Sequence, residues 1–299
     1  MGYFLFHLKM GIMKKTNKPV KFEVEDNSWK EVLKPEQKYN DYEFPKVSIV
    51  VPTYNNSEKI ERTLDSVLTQ HYPDLEVIIV DSGSTDRTLE VVRNYRDGRI
   101  YIFSVSGFGR YEMLNKGIAQ AKGEYINFLF PGDFYIHTET LRHMMGLTLD
   151  HDRPHLVFCG TLIRDGKKEP KILLRPLNCK FLMRGQQPTS LQSCWFRMDT
   201  FHELGKFNTE YHLRGGYDFM CRFCLTPELR KFSTVRVLTD YDLRLVKLSM
   251  VMSHFTETFR SIYKYFGLFA LIKWLFFQKD FSRILRIWFR TLKAAFMGP

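Results

Sequence analysis

Two apolar stretches that each run into a polar turn constrain the fold of this chain more than any other feature. The first reads VSIVVPTYN from Val47, and the second reads LEVIIVDSGSTD from Leu75. Runs this rich in Val and Ile are typical of strands buried on both faces of a parallel sheet. A third apolar stretch, Tyr125–Phe130, leads to Asp133. Because ligands bind beyond the carboxyl ends of parallel strands, the three turns are predicted to meet in one crevice.

Helical segments alternate with these strands. Ser57 is the expected N-cap of the first helix, and Ser84 or Thr85 of the second. Further predicted elements are a strand over Arg99–Val105, a helix over Tyr111–Ala121 and a helix over Thr138–Leu149. Gly123 is expected to end the helix over Tyr111–Ala121 in a left-handed conformation.

The pair Asp165-Gly166 lies between two apolar segments and indicates a hairpin. A strand and helix rhythm followed by a hairpin predicts an α/β fold with a mostly parallel sheet flanked by helices. The sequence divides into an N-terminal arm (1–45), this α/β domain (46–254) and a C-terminal tail (255–299).

The tail carries much of the chain's positive charge. The whole sequence has a formal net charge of +11, and residues 254–299 contain eight cations and two anions. Two amphipathic helices are predicted there, Phe255–Phe277 and Phe281–Phe296, with a break near Gln278-Lys279-Asp280. Interleaved cations and aromatic rings favour contact with an anionic membrane surface, and packing into a core is the alternative. The apolar stretches are too short to span a membrane, and no nucleic-acid-binding module accompanies the charge.

The five cysteines are odd in number and form no disulfide-type ladder, which favours a reducing compartment. Cys221 and Cys224 are spaced like a metal or redox pair, but no second pair follows at ligand spacing. We interpret them as two small apolar residues on one helix face.

Three segments in order carry a family resemblance: VSIVVPTYN, VIIVDSGSTD and NKGIAQAKGEYINFL. With them the chain resembles the family 2 glycosyltransferases of GT-A fold, from about Val47 to His254. The resemblance implies inverting transfer of a sugar from a UDP- or GDP-linked donor to a hydroxyl acceptor. A lipid-linked or polysaccharide acceptor would suit the basic tail, and it would place the protein in the cytoplasm, peripheral on the inner face of a membrane.

The resemblance also implies which residues contact the donor. The turn after the first strand would pack against the base and ribose, the acid after the second would bond the base edge, and the NKG segment would lie near the ribose and diphosphate. These donor-side residues are Pro52, Thr53, Tyr54, Asn55, Asp81, Ser82, Asn115 and Lys116. Each has a structural alternative; Asp81 in particular could form an Asx turn and cap the next helix.

The chain departs from the family pattern where a divalent metal is usually held. The sequence reads Phe130-Pro131-Gly132-Asp133, so Gly132 occupies the usual principal ligand position. Asp133 is the remaining candidate ligand for Mg²⁺ or Mn²⁺, which would offset charge on the leaving diphosphate. The alternative is that Asp133 is the N-cap of a following helix.

A second departure concerns the catalytic base. Gly216 occupies the position at which relatives carry the base, and Asp218 is the acid left in this stretch. Asp218 is therefore the candidate base, and a structural pairing with Arg222 is the alternative. Gln192 resembles an acceptor-side residue, whereas Leu191 replaces the family's histidine. These losses leave open a second function, that of an impaired glycosyltransferase-like protein that binds nucleotides or acts as a scaffold at a membrane.

Overall fold

The computed structural model describes residues 42–164, 169–242 and 248–277, which contain one mixed sheet flanked by helices. Most of the predicted N-terminal arm lies outside these ranges. So do the Asp165-Gly166 turn and the second predicted tail helix, Phe281–Phe296.

Four parallel strands form one half of the sheet: β1 (Val47–Thr53), β2 (Leu75–Asp81), β3 (Ile100–Ser104) and β4 (Tyr125–Phe128). β1 pairs with β2 on one side and with β4 on the other, so Val47 lies beside both Leu75 and Tyr125. Every residue of β1, β2 and β4 is buried, which explains their unbroken apolar sequences. The predicted parallel sheet is confirmed.

The other half of the sheet is mixed. Its strands are β5 (Phe134–Tyr135), β6 (Leu156–Arg164), β7 (Lys171–Leu173), β8 (Cys194–Arg197) and β9 (Lys231–Asp242). β8 is inserted antiparallel between β4 and β6. The strand order is β3-β2-β1-β4-β8-β6-β9-β5, and β7 pairs antiparallel with β6, as the hairpin prediction required.

Helices flank the sheet. Those in the described ranges are α1 (Ile60–Leu68), α2 (Thr88–Asn94), α3 (Arg110–Gln120), α4 (Thr140–Asp150), α5 (Cys179–Leu182), α6 (Asp199–Leu204), α7 (Gly215–Cys224) and α8 (Leu248–Phe277).

The predicted starts of two helices are wrong. α1 begins at Ile60 and α2 at Thr88, so Ser57, Ser84 and Thr85 are not N-caps. Asp86 instead accepts from the Thr88 N–H with Oδ1 at 2.9 Å.

Gly123 is not a left-handed stop either. A Cβ atom at this position would lie 2.6 Å from the Ser48 nitrogen, so the glycine permits close approach of the chain to β1.

The predicted break of the tail helix near Gln278-Lys279-Asp280 lies outside the described residues. α8 continues to Phe277, and its interruption lies at Gly267, where φ is 77° and ψ is −179°. α8 crosses the predicted domain boundary after residue 254, and its Ile262, Leu271 and Trp274 are buried in the core that includes α7. No helix in the described ranges combines the length and apolarity that a membrane crossing requires.

Candidate functional site

A cavity of about 540 Å³ opens at the carboxyl ends of β1 and β4. Its walls come from the turn after β1 with the start of α1, the turn after β4, the start of α3, the 187–192 segment and the start of α7, with single residues of β9 and α8. Side chains central to the argument are Tyr54, Asp133, Gln192 and the residues around Gly216.

Asp133 is held at the cavity by contacts on both sides. Its buried carboxylate accepts through Oδ2 from Gln192 Nε2 at 3.0 Å. Thr63 of α1 donates from Oγ1 to the Asp133 carbonyl at 2.7 Å and accepts from the Gly132 N–H at 2.9 Å. Gly132 has a φ of 100°, which glycine adopts without strain. The structure therefore brings Asp133 and Gln192 together in a fixed geometry.

The alternative N-cap role for Asp133 is wrong, because the next element is strand β5 rather than a helix. As a metal ligand, Asp133 would supply one carboxylate; the described residues contain no cluster of three or more His, Cys, Asp or Glu arranged for a metal ion. One carboxylate fits a Mg²⁺ or Mn²⁺ ion that takes its other ligands from a bound diphosphate and from water.

Asp81 does not line the cavity. Its Oδ2 accepts from the N–H groups of Gly83 at 3.0 Å and Ser84 at 2.9 Å, and its Oδ1 accepts from the Ser84 hydroxyl. Ser82 donates its hydroxyl to the Phe108 carbonyl at 2.9 Å. The structure thus contains the Asx turn that was the alternative for Asp81.

The remaining residues of the first turn divide between the cavity and the fold. Pro52 and Tyr54 line the cavity, and Tyr54 is largely exposed. Asn55, at a φ of 51°, accepts from the Thr85 N–H at 2.8 Å and so joins the turns after β1 and β2. The hydroxyl of Thr53 is buried and has no hydrogen-bond partner in the described part of the chain.

Asn115 and Lys116 do not line the cavity. The Asn115 amide exchanges two hydrogen bonds with the backbone of Phe207, donating from Nδ2 at 2.8 Å and accepting at Oδ1 at 3.0 Å. These two hydrogen bonds connect α3 to the segment before α7, which indicates a structural role for Asn115.

The geometry does not support Asp218 as the catalytic base. The side chain is fully buried and lies outside the cavity lining. Its Oδ2 accepts from Arg222 Nε at 3.1 Å and its Oδ1 from the Tyr265 hydroxyl at 2.7 Å. Burial and the Asp218 carboxylate raise the pKa of Tyr265, so the phenol stays protonated and donates. The predicted pairing with Arg222 is confirmed.

α8 fixes the start of α7 through one carboxylate. Glu257 accepts from three consecutive N–H groups before α7: those of His212 at 2.9 Å, Leu213 at 3.0 Å and Arg214 at 2.7 Å. These contacts place Gly216 on the cavity wall. A Cβ atom added there would meet Leu191 at 3.8 Å, an ordinary contact distance.

Three cations at the cavity were not predicted from the sequence. Lys59, Arg62 and Arg110 line it, and none of them forms an ion pair with a carboxylate of the described residues. The Arg62 guanidinium carbon lies 3.9 Å from the centre of the Phe134 ring, and that of Arg110 lies 4.7 Å from the centre of the Phe130 ring. Phe130 and Phe134, which flank Asp133 in the sequence, are the signal that the sequence offered, because the face of an aromatic ring attracts a guanidinium.

Comparison with known proteins gives a consistent result. The family model described as glycosyl transferase family 2 matches residues 48–222. An uncharacterised glycosyltransferase of Rickettsia typhi is 33% identical over 140 residues, which are 46% of this chain and 43% of that protein. A PGL/p-HBAD biosynthesis glycosyltransferase of Mycobacterium tuberculosis is 26% identical over 195 residues, which are 62% of this chain and 72% of that protein. The chain thus spans less than half of the rickettsial relative and nearly three quarters of the mycobacterial one.

Solved structures share the fold. Staphylococcus aureus TarS 1–349 in complex with UDP-GlcNAc superposes with a TM-score of 0.60 at 22% identity, over 73% of this chain and 65% of that one. The mannosyltransferase PcManGT of Pyrobaculum calidifontis, in complex with GDP-Man and Mn²⁺, gives a TM-score of 0.56 at 19% identity, over 89% and 86%.

Proposed function

The chain belongs to glycosyl transferase family 2, and from this premise we propose that its cavity binds a UDP- or GDP-linked sugar and passes the sugar, with inversion, to an acceptor. The observation that carries the proposal is the meeting of Tyr54 and Asp133 in one cavity, at the carboxyl ends of β1 and β4. Nucleotide sugars bound to TarS and PcManGT support this class of donor.

Each part of the cavity has a proposed task. Pro52 and Tyr54 would pack against the base and ribose, since Tyr54 offers an exposed ring. Asp133 would hold Mg²⁺ or Mn²⁺, which would offset charge on the leaving diphosphate. Gln192 orients Asp133 and would face the acceptor. The remaining donor-side residues, Thr53, Asn55, Asp81, Ser82, Asn115 and Lys116, would act by fixing the turns and helix around the donor.

A thermal-shift screen tests the donor class. UDP and GDP, with and without Mn²⁺, should raise the melting temperature, because a ligand that binds only the folded protein stabilises it. The effect of Mn²⁺ should depend on the nucleotide and should be lost in Asp133→Asn. Unchanged melting with every nucleoside diphosphate would reject the proposal.

We also propose that α8 brings the protein to an anionic membrane surface on the cytoplasmic side. After the Gly267 break, Leu268, Phe269 and Phe276 are exposed, Phe269 to 82%. Lys264 and Lys273 lie on the same helix, and the sequence beyond it is rich in cations. Exposed apolar residues with nearby cations are typical of a helix that lies in a membrane interface.

Sedimentation with anionic vesicles tests this placement. Binding should weaken as salt rises and should fall in Phe269→Glu. Val235→Glu is a matched control, since Val235 lies on β9 and is exposed to 83%. Equal loss in both variants, or no binding by the wild type, would remove the membrane proposal and leave the donor proposal standing.

A further inference from the structure

The structure divides the five free cysteines into two groups. Cys159, Cys194 and Cys221 are buried. Burial raises the pKa of all three thiols, so they stay protonated, and they lie out of reach of an oxidant in solution. Cys179 and Cys224 are partly exposed. Thiol chemistry in the folded protein is therefore expected at these two residues.

Cys179 and Cys224 are in contact, although forty-five positions separate them in the sequence. Their Sγ atoms lie 3.4 Å apart. Cys179 is the first residue of α5, and Cys224 is the last residue of α7. The spacing along the chain pairs Cys224 with Cys221, whereas the fold pairs it with Cys179. A disulfide requires sulfur atoms about 2.0 Å apart, so these two atoms need to approach each other by only about 1.4 Å.

Two further sets of contacts join the same two elements closer to the cavity. The Tyr217 hydroxyl donates to the Leu182 carbonyl. The Arg214 guanidinium donates to the Gly185 carbonyl at 2.7 Å and to Gln187 Oε1 at 3.1 Å. From the cysteine pair toward the cavity, residue numbers rise in α5 and the turn after it and fall in α7. The two elements therefore run antiparallel, and the cysteine pair lies at the end remote from the cavity.

Both elements continue into the cavity wall. Gly216 and Met220 of α7 line the cavity, and so does the 187–192 segment that follows α5. The two parts of the wall are adjacent, since a Cβ atom added at Gly216 would lie 3.8 Å from the Leu191 side chain. A covalent bond between Cys179 and Cys224 would therefore restrict how these two parts of the wall move relative to each other.

We propose that Cys179 and Cys224 form a reversible disulfide that restrains the α7 side of the cavity under oxidising conditions. The co-reactant is a low-molecular-weight disulfide. One cysteine, as the thiolate, attacks it, forms a mixed disulfide and releases one small thiol. The other cysteine then attacks the sulfur of the first and releases the second small thiol. The two protein thiols give up two electrons and two protons, which the two released thiols carry. An excess of small thiol reverses both steps.

The surroundings of Cys224 make this exchange slow. Burial and the neighbouring Cys179 raise the pKa of Cys224 above its ordinary value. A protonated thiol is a weak nucleophile, so the bond should form over minutes to hours, as in uncatalysed disulfide exchange. The pair is therefore suited to a lasting change in redox conditions rather than to a catalytic cycle.

Peptide mapping tests whether the bond forms. The protein is incubated with 2-hydroxyethyl disulfide, its remaining thiols are alkylated, and it is digested with trypsin. Cleavage after Arg222 separates Cys221 from Cys224. Peptides 172–180 and 223–230 should be linked in the oxidised protein and separate after treatment with dithiothreitol. Mixed disulfides without the link, or a link to another cysteine, would overturn the proposal.

Thermal unfolding tests whether the bond restrains the fold. Oxidation should raise the melting temperature by about 5 °C or more, because the cross-link limits the freedom of the unfolded chain. The rise should be absent in Cys179→Ala. Cys221→Ala is the matched control, since it leaves both proposed partners in place, and it should show the full rise. A rise that persists in Cys179→Ala, or that is lost in Cys221→Ala, would contradict the assignment.

Sugar transfer tests the effect on the cavity, and this step alone rests on the proposed function. Oxidation should lower the transfer rate at least about threefold, because movement of the walls around a site often limits turnover. Dithiothreitol should restore the rate, and Cys179→Ala should be insensitive to both reagents. An unchanged rate in fully linked protein would overturn the restraint on the cavity. If neither form transfers sugar although the peptides are linked, the proposed function is wrong and the disulfide site stands.

Discussion

The turn after β4 and the first turn of α7 each bury one carboxylate, and the two carboxylates serve different ends. Asp133 lies at the cavity, where Gln192 holds one of its oxygens. Asp218 lies behind the cavity wall, where Arg222 and Tyr265 occupy both of its oxygens. Burial alone does not mark a carboxylate as functional; the partners of its two oxygens and its access to the cavity decide.

This contrast predicts that Asp218→Ala affects stability and Asp133→Asn affects activity. Asp218→Ala should lower the free energy of unfolding by about 3–5 kcal/mol, because Arg222 would lose its partner in a buried pair. Urea denaturation measures the loss. The exposed pair of Glu210 and Arg260 is the control, and Glu210→Ala should cost less than about 1 kcal/mol. If Asp218→Ala folds stably but loses turnover, Asp218 has a functional role, and its assignment as a structural carboxylate is wrong.

Asp133→Asn should lower the rate of sugar transfer about 100-fold, the usual scale for removing one electrostatic contact to the reacting groups. The asparagine can keep the hydrogen bond to Gln192, so the urea midpoint should stay near that of the wild type. Initial rates at saturating donor and Mn²⁺ provide the measurement. Undiminished turnover would mean that the cavity is not organised around this carboxylate.

Asp81→Ala should lower the free energy of unfolding by about 2 kcal/mol, because three donors in the turn after β2 lose their acceptor. The affinity of the folded protein for UDP or GDP should fall only through loosening of that turn. Calorimetry at a temperature where both proteins are folded distinguishes the roles. A much larger drop in affinity with full stability would restore a direct contact to the base.

Gln192→Ala should have the smallest effect, about a 10-fold loss of transfer rate, since it leaves Asp133 in place and removes only its orienting donor. The rate should recover partly in Gln192→Asn if a shorter amide reaches Asp133. A loss as large as that of Asp133→Asn would show that the two side chains act as one unit.

Much of the fold could be predicted because its determinants are local. Buried parallel strands require continuous apolar runs, and the runs from Val47, Leu75 and Tyr125 are β1, β2 and β4. The N-cap predictions failed because residues distant in the sequence bond to the backbone at these positions: the Thr85 N–H donates to Asn55, thirty positions away. The interruption of α8 at Gly267 was not predicted, because it lies in an apolar stretch without polar residues to indicate a helix end.

The site was less predictable because its contacts join residues that are far apart in the sequence. Tyr54, Asp133 and Gln192 were assigned to the site, and the structure brings them to one cavity. Asn115 fits the family pattern, yet its amide is satisfied by Phe207, ninety-two positions away. Such pairings depend on tertiary packing, and no spacing along the chain reports them.

Glu257 of α8 accepts hydrogen bonds from three backbone N–H groups before α7, so α8 helps to shape the cavity. Without α8, those N–H groups would lose their acceptor, and the segment before α7 that positions Gly216 would lose its support, while β1 to β4 would keep their pairing. Any event that lifts α8, such as a change in what it contacts outside the domain, would therefore reshape the α7 side of the cavity and leave the turns after β1 and β4 in place.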